Sequence, residues 1–173
     1  MKQDILKTAI LFLALLAAQK LSAQTEDALL QQLSRTENES SVNGVTIDQE
    51  GTNNEAFILQ VTEASSSAVN ALQTGAENRI QLLQTGNYID IRISQEGAGN
   101  IYEADLEGQD SKIDISQSGF ENIIFQSLML NNTGISIYQQ GDKNEVIHTG
   151  TSNNSGIQIQ QQGSGMKLII QSN

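Results

Sequence analysis

The sequence predicts an all-β fold: a β-solenoid of six strand–turn–strand rungs, about 22 residues each, forming two parallel sheets with cross-β stacking. Three observations predict it. A Gln-x-Gly phrase returns six times at a nearly fixed interval. Between its copies, apolar and polar residues alternate with period two, the mark of strands with one buried face. The chain also holds no Pro, which would remove a backbone donor from a continuous sheet, and no Cys, so disulfides do not staple it.

The period comes first. Gln49, Gln73, Gln95, Gln117, Gln139 and Gln161 are each followed two residues later by Gly51, Gly75, Gly97, Gly119, Gly141 and Gly163. Five have an Asn five residues on: Asn54, Asn78, Asn100, Asn122 and Asn144. The sixth site holds Met166. The steps between the Gln residues are 24, 22, 22, 22 and 22. One generic turn does not explain six phrases in register.

The N-terminus reads differently. Lys2 and Lys7 precede an apolar stretch from Ala9 to Ala18, and Leu21-Ser22-Ala23 suits signal peptidase. Residues 1–23 are therefore expected to be a secretory signal peptide. The apolar stretch falls short of the ~20 residues a membrane-spanning helix needs. Residues 24–42 lie outside the repeat pattern and form a leader. Export would leave six basic residues against nineteen acidic ones, a net charge of about −13. That balance argues against nucleic acid or an anionic membrane as partner.

The solenoid is expected over 43–173, with rungs 43–66, 67–88, 89–110, 111–132, 133–154 and 155–173. The first strand of a rung reads Ile89-Asp90-Ile91-Arg92-Ile93-Ser94-Gln95, and its equivalents end in Gln117 and Gln161. Ser or Thr, two β-branched residues and Gln point to one side, and charged residues point to the other. The second strand starts at the Asn, as in Asn54-Glu55-Ala56-Phe57-Ile58-Leu59-Gln60 and Asn78-Arg79-Ile80-Gln81-Leu82-Leu83-Gln84. Its terminal Gln survives as Gln60 and Gln84, then becomes Leu106, Leu128, Gly150 and Ser172. Four-residue turns such as Glu96–Gly99 and Glu107–Asp110 separate the strands, rich in residues that accept a positive φ. Two extra residues in the second turn of the first repeat account for its longer step.

Such a rung cannot bury its apolar face alone, but stacked copies can. The recurring inward amides then acquire a role. A buried amide left unpaired costs about 1–3 kcal/mol. Stacked on an identical neighbour it donates one way and accepts the other, forming a ladder.

The phrase Ser-x5-Gln-x-Gly-x-x-Asn-x5-Gln resembles the curlin repeat of bacterial curli subunits. Ser67, Gln73, Gly75, Asn78 and Gln84 match it at every signature position, and residues 48–60 are similar to it. The resemblance covers roughly 43–173. It implies an exported protein that self-associates outside the cell into amyloid fibres of stacked β-solenoid subunits, as a cell-surface fimbrium supporting adhesion and biofilm matrix. It implies other curlin subunits and a curli-type export and assembly machinery as partners. Curli families contain a major fibre subunit and a minor, surface-tethered nucleator. The loss of the final Gln in four repeats departs from major-subunit repeats, and the terminal GMKLIIQSN resembles the atypical last repeat of minor subunits. Both roles stay open.

Other chemistry finds little support in the residues. His148, the one histidine, is placed facing inward on the second strand of the fifth rung, without a second His or a Cys that would make a metal or catalytic set. Asp105, Glu107 and Asp110 form the densest acidic group and read as solvated surface. The glycines lie between strands rather than before a helix, so no phosphate loop is indicated. No cofactor, metal, small-molecule substrate or enzymatic activity is expected. Phe57, Leu59, Leu83, Ile101, Ile123, Phe125, Ile147 and Ile169 should face outward as an apolar strip, a candidate contact surface. The alternative to a fibre subunit is a monomeric secreted β-solenoid binding module or adhesin. An ice binder would want an outward Thr ladder, and only Thr149 and Thr151 approach one. A glycan binder would want clustered aromatics, and the chain has four Phe and three Tyr.

Overall fold

The computed structural model describes residues 43–62, 66–154 and 156–173. The expected signal peptide and leader lie outside the described residues. Ten strands follow in order: β1 (Gly44–Thr52), β2 (Glu55–Val61), β3 (Ala68–Ala76), β4 (Arg79–Ala98), β5 (Ile101–Phe120), β6 (Ile123–Asn131), β7 (Gly134–Asp142), β8 (Glu145–Asn153), β9 (Gly156–Gln162) and β10 (Lys167–Ser172). Every pairing is parallel and joins a residue to its equivalent one rung on. Gly44 pairs with Ala68, and Lys112 pairs with Gly134. The chain is a β-solenoid of about six turns.

The alternating sequence decides which side chains enter the core. In the third rung, Ile89, Ile91, Ile93 and Gln95 are buried while Arg92 is exposed. Ile113, Ile115, Ile135 and Ile137 repeat the same columns one and two rungs on. Facing them across the core are Ile80, Leu82, Tyr102, Leu106, Ile124 and Val146. A fully buried aliphatic side chain of this size contributes about 1.5–3 kcal/mol. A one-residue slip of any strand would turn its whole apolar set to water.

The two faces are less separate than expected. β4 and β5 each run 20 residues through a corner, so all ten strands belong to one hydrogen-bonded sheet. The ladder survives because neighbouring rungs bend at the same residues: Gly86 pairs with Gly108 inside the corner. There the backbone turns through Gly86 (φ 121) and Tyr88 (φ 57), and through Gly108 (φ 148) and Asp110 (φ 50). The 24-residue offset of the first rung persists to Val61–Thr85, and Ser67 is bonded with a 22-residue offset to Ile89. The two extra residues therefore lie between Val61 and Ser67.

Candidate functional site

The Gln residues ending the first strands form a continuous ladder. Gln49 Nε2 donates to Gln73 Oε1 at 2.5 Å. Gln73, Gln95, Gln117 and Gln139 donate in the same direction to Gln95, Gln117, Gln139 and Gln161, at 2.8–3.0 Å. Each amide from Gln73 to Gln161 also donates across the core, to the carbonyl of Glu55, Arg79, Ile101, Ile123 or Glu145 in the preceding rung. One side chain thus ties three rungs and both faces. Gln73 and Gln95 are wholly buried, and Gln49, on the end rung, is exposed.

The Asn residues form a second ladder that runs the other way. Nδ2 of Asn78, Asn100, Asn122 and Asn144 donates to Oδ1 of the Asn one rung earlier, at 3.0–3.2 Å. That oxygen also accepts the backbone N–H of the following Asn. Met166 keeps the backbone half of the arrangement, donating its N–H to Asn144 Oδ1 at 3.2 Å. The Asn amide reaches forward as well. Asn54, Asn78, Asn100, Asn122 and Asn144 donate to the carbonyls of Gly75, Gly97, Gly119, Gly141 and Gly163.

Those glycines explain the rest of the motif. Gly97 has φ +109, and a Cβ there would lie 2.1 Å from the carbonyl oxygen of Gly119. Gly51, Gly75, Gly119 and Gly141 are in the same position relative to the next rung. The corner brings backbone against backbone too closely for any side chain, and the Asn supplies the donor for the carbonyl exposed there. Gln, Gly and Asn are thus three parts of one corner.

Residues 43–86, the first two rungs, match the family model of the curlin associated repeat. These two rungs are similar to that repeat. No curated protein matched it in a sequence comparison. The match ends where the terminal Gln of the second strand is lost, and rungs three to six place Gln95, Gln117, Gln139 and Gln161 in the same column as Gln49 and Gln73. The second-strand ladder is a single bond. Gln60 donates to Gln84 at 3.3 Å, and Gln84 Nε2, below Leu106, has no partner among the described residues.

Sequence reasoning missed one polar group in the core of the solenoid. Tyr102 is fully buried and donates to Gln126 Oε1 at 2.9 Å. Gln126 stacks between Ala104 and His148. Burial pushes the Tyr102 hydroxyl well above its ordinary range. The inward parity of positions 102 and 126 was readable from Asn100 and Asn122, two and four residues earlier. His148 is buried, and neither ring nitrogen has a partner among the described residues.

Burial lowers the His148 pKa from its ordinary value of 6.5. The unfolded chain therefore takes up a proton before the folded one does. The stability associated with neutral His148 is complete above about pH 6.5 and is lost as pH falls through the lowered folded value. Urea midpoints measured between pH 8 and pH 5 should fall on the acid side. His148→Leu should flatten that fall, since no other histidine titrates there. An unchanged slope in the variant would assign the dependence to other groups.

The outer surface interleaves charge and apolar area within the same columns, as in Phe57–Gln81–Glu103–Phe125–Ile147. Arg92 lies 3.1 Å from Asp90 and 3.8 Å from Asp114 of the next rung, and Lys112 lies 3.4 Å from Asp114. Arg79–Glu55 and Lys167–Glu145 repeat the rung-to-rung pairing. Exposed pairs of this kind are each worth about 0–1 kcal/mol, so they order the surface more than they hold it together. Asp105, Glu107 and Asp110 are exposed. Of the outward strip, Phe57, Leu59, Leu83, Ile123, Phe125 and Ile169 are exposed, and Ile101 and Ile147 are half-buried.

Proposed function

We propose that this protein is a secreted structural subunit of extracellular curli-like amyloid fibres, and that it grows by stacking its end rungs. The observation that carries the reading is the state of the two ends. β1 and β2 pair only with the second rung's strands, and β9 and β10 only with the fifth rung's. Each end therefore offers parallel edge strands built on the same repeat as the interior. Such edges recruit further strands unless they are blocked, by Pro or a bulge for example. The curlin repeat supports self-assembly and other curlin subunits as partners.

The finer roles belong to the same proposal. The ladder residues Gln49 to Gln161 and Asn54 to Asn144 set rung spacing and so template the next copy. Residues 1–23 direct export, and curli-type machinery places the fibre at the cell surface, where it serves adhesion and biofilm matrix. The function is structural rather than catalytic. Met166 on the last rung favours a nucleating, minor role, because it interrupts the Asn column at one end only, while Gln161 continues the Gln column there.

Mature protein at neutral pH should form fibres with reflections near ~4.7 Å and ~10 Å. Protein that stays monomeric for days at high concentration, with or without seeds, would overturn the fibre reading in favour of a monomeric binding module.

A further inference from the structure

We propose that copies of this chain join in one polarity and one register, rung six of one copy against rung one of the next, and that Gly163 is the residue this join cannot do without. The inference rests on the fibre reading and adds which residues meet.

Polarity follows from the Gln ladder. All five of its bonds donate toward the C-terminal end. Gln161 makes backbone contacts equivalent to those of Gln95, to Glu145 and Met166 carbonyls, and lacks only the forward bond. Gln49 donates forward, and no earlier rung among the described residues donates to its Oε1. A second copy set head to tail lets Gln161 donate to Gln49 and continues the column. Two N-terminal ends would oppose carbonyl oxygens, and two C-terminal ends would oppose amide N–H groups.

Register follows from the outer columns. The first outward position of the second strand reads Glu55, Arg79, Ile101, Ile123, Glu145, Lys167 through the rungs. Stacked in step, the join reads Glu145–Lys167–Glu55–Arg79, four alternating charges. Arg92 already shows one cation serving two carboxylates in this molecule. In the same register Ile169 lies over Phe57, both exposed in the single copy. A two-residue slip keeps inward residues inward, so the apolar pattern alone does not forbid it. It would set Lys167 over Phe57 and leave Gly163 without a glycine opposite.

The glycine column makes the join testable. At Gly51, Gly75, Gly97, Gly119 and Gly141, an added Cβ falls 1.9–2.1 Å from the next rung's glycine oxygen. At Gly163 it meets only Met166 Cε, at 3.7 Å. A methyl there meets no backbone in one copy, so its cost is the strain of φ +130 alone, whereas beneath the Gly51 of a second copy it would also strike a carbonyl oxygen. Met166 is the complementary defect. An Asn in its place would supply the Oδ1 that receives the N–H and Nδ2 of the following Asn in every interior rung.

The decisive variant is Gly163→Ala in the mature chain. Its rung one is intact, so it should add to the rung-six end of a wild-type seed and stop growth there. Substoichiometric amounts should shorten fibres and abolish growth at one of the two ends in two-colour single-fibre imaging. Gly165→Ala, at φ +69 in open space, should grow as wild type. Met166→Asn should grow several-fold faster. Circular dichroism of the soluble variants checks that they fold.

A second measurement does not depend on Gly163→Ala folding. The chain has no Cys. Phe57→Cys and Ile169→Cys copies, mixed into one fibre and treated with a short bis-maleimide, should give covalent dimers that neither gives alone. Fibres that form but cross-link equally in the single variants, or not at all in the mixture, would overturn the join and leave the fibre reading standing. So would unimpeded growth of a folded Gly163→Ala chain. Failure of wild-type protein to form fibres overturns the fibre reading first.

Discussion

Gly97→Ala is expected to prevent the solenoid from folding, or to cost more than about 4–5 kcal/mol, the range of the most disruptive single substitutions. Two effects combine. At φ +109 an L-residue is strained wherever it sits, and the new Cβ would lie 2.1 Å from the Gly119 carbonyl oxygen. That oxygen belongs to the backbone of the next rung and is held by Asn100 Nδ2 at 3.0 Å, so it cannot yield without parting the ladder. Gly134→Ala is the matched control. It sits at the start of a strand, without a positive φ and with nothing within 4 Å of the new atom. Reduced unfolded-state freedom should make it neutral or stabilising by about 0.4–1 kcal/mol. Thermal and urea unfolding of dilute monomer, followed by circular dichroism, compares the two. Equal midpoints would mean the rungs are not spaced as described.

Gln95→Leu and Gln84→Leu make the same chemical change at two wholly buried sites and should have opposite consequences. Gln95 accepts from Gln73 and donates to Gln117, to the Arg79 carbonyl and to the Asn100 carbonyl. Leucine there orphans several groups, at about 1–3 kcal/mol each. Gln84 only accepts from Gln60, which sits on the half-exposed end rung and can turn to water, and its own Nε2 bonds nothing among the described residues. Leucine there continues the apolar column of Leu106 and Leu128 and removes an orphaned donor. Gln84→Leu should therefore be neutral or gain up to about 1–3 kcal/mol. Urea midpoints decide it, and a Gln84→Leu loss as large as that of Gln95→Leu would remove the distinction between an intact ladder and a broken one.

Much of this was legible because parity in a strand is binary. Once Gln95 is inward, Ile93 and Ile91 must be, and Arg92 cannot be. A repeat multiplies that certainty, since each rung tests the same assignment. The corners were legible as turns and not as geometry. Gly-x-Glu and Gly-x-Lys mark a change of direction, but the αL backbone of Glu121 and Lys143 is imposed by stacking on rungs that turn at the same place. Tyr102 and Gln126 were not recognised as a pair because they are 24 residues apart and occupy different inward columns. Only the reach of a tyrosine across one rung connects them.

Composition and period alone determined that this chain stacks in parallel rungs, which side chains lie inside, and that its inward amides recur where a ladder requires them. Tertiary structure decided the rest. It set the opposite directions of the Gln and Asn ladders, the bending of one sheet through a corner, and the contact that makes each corner glycine obligatory. The physical reason is that these depend on where a carbonyl of the next rung points. That direction is a property of two stacked backbones, and no single repeat encodes it.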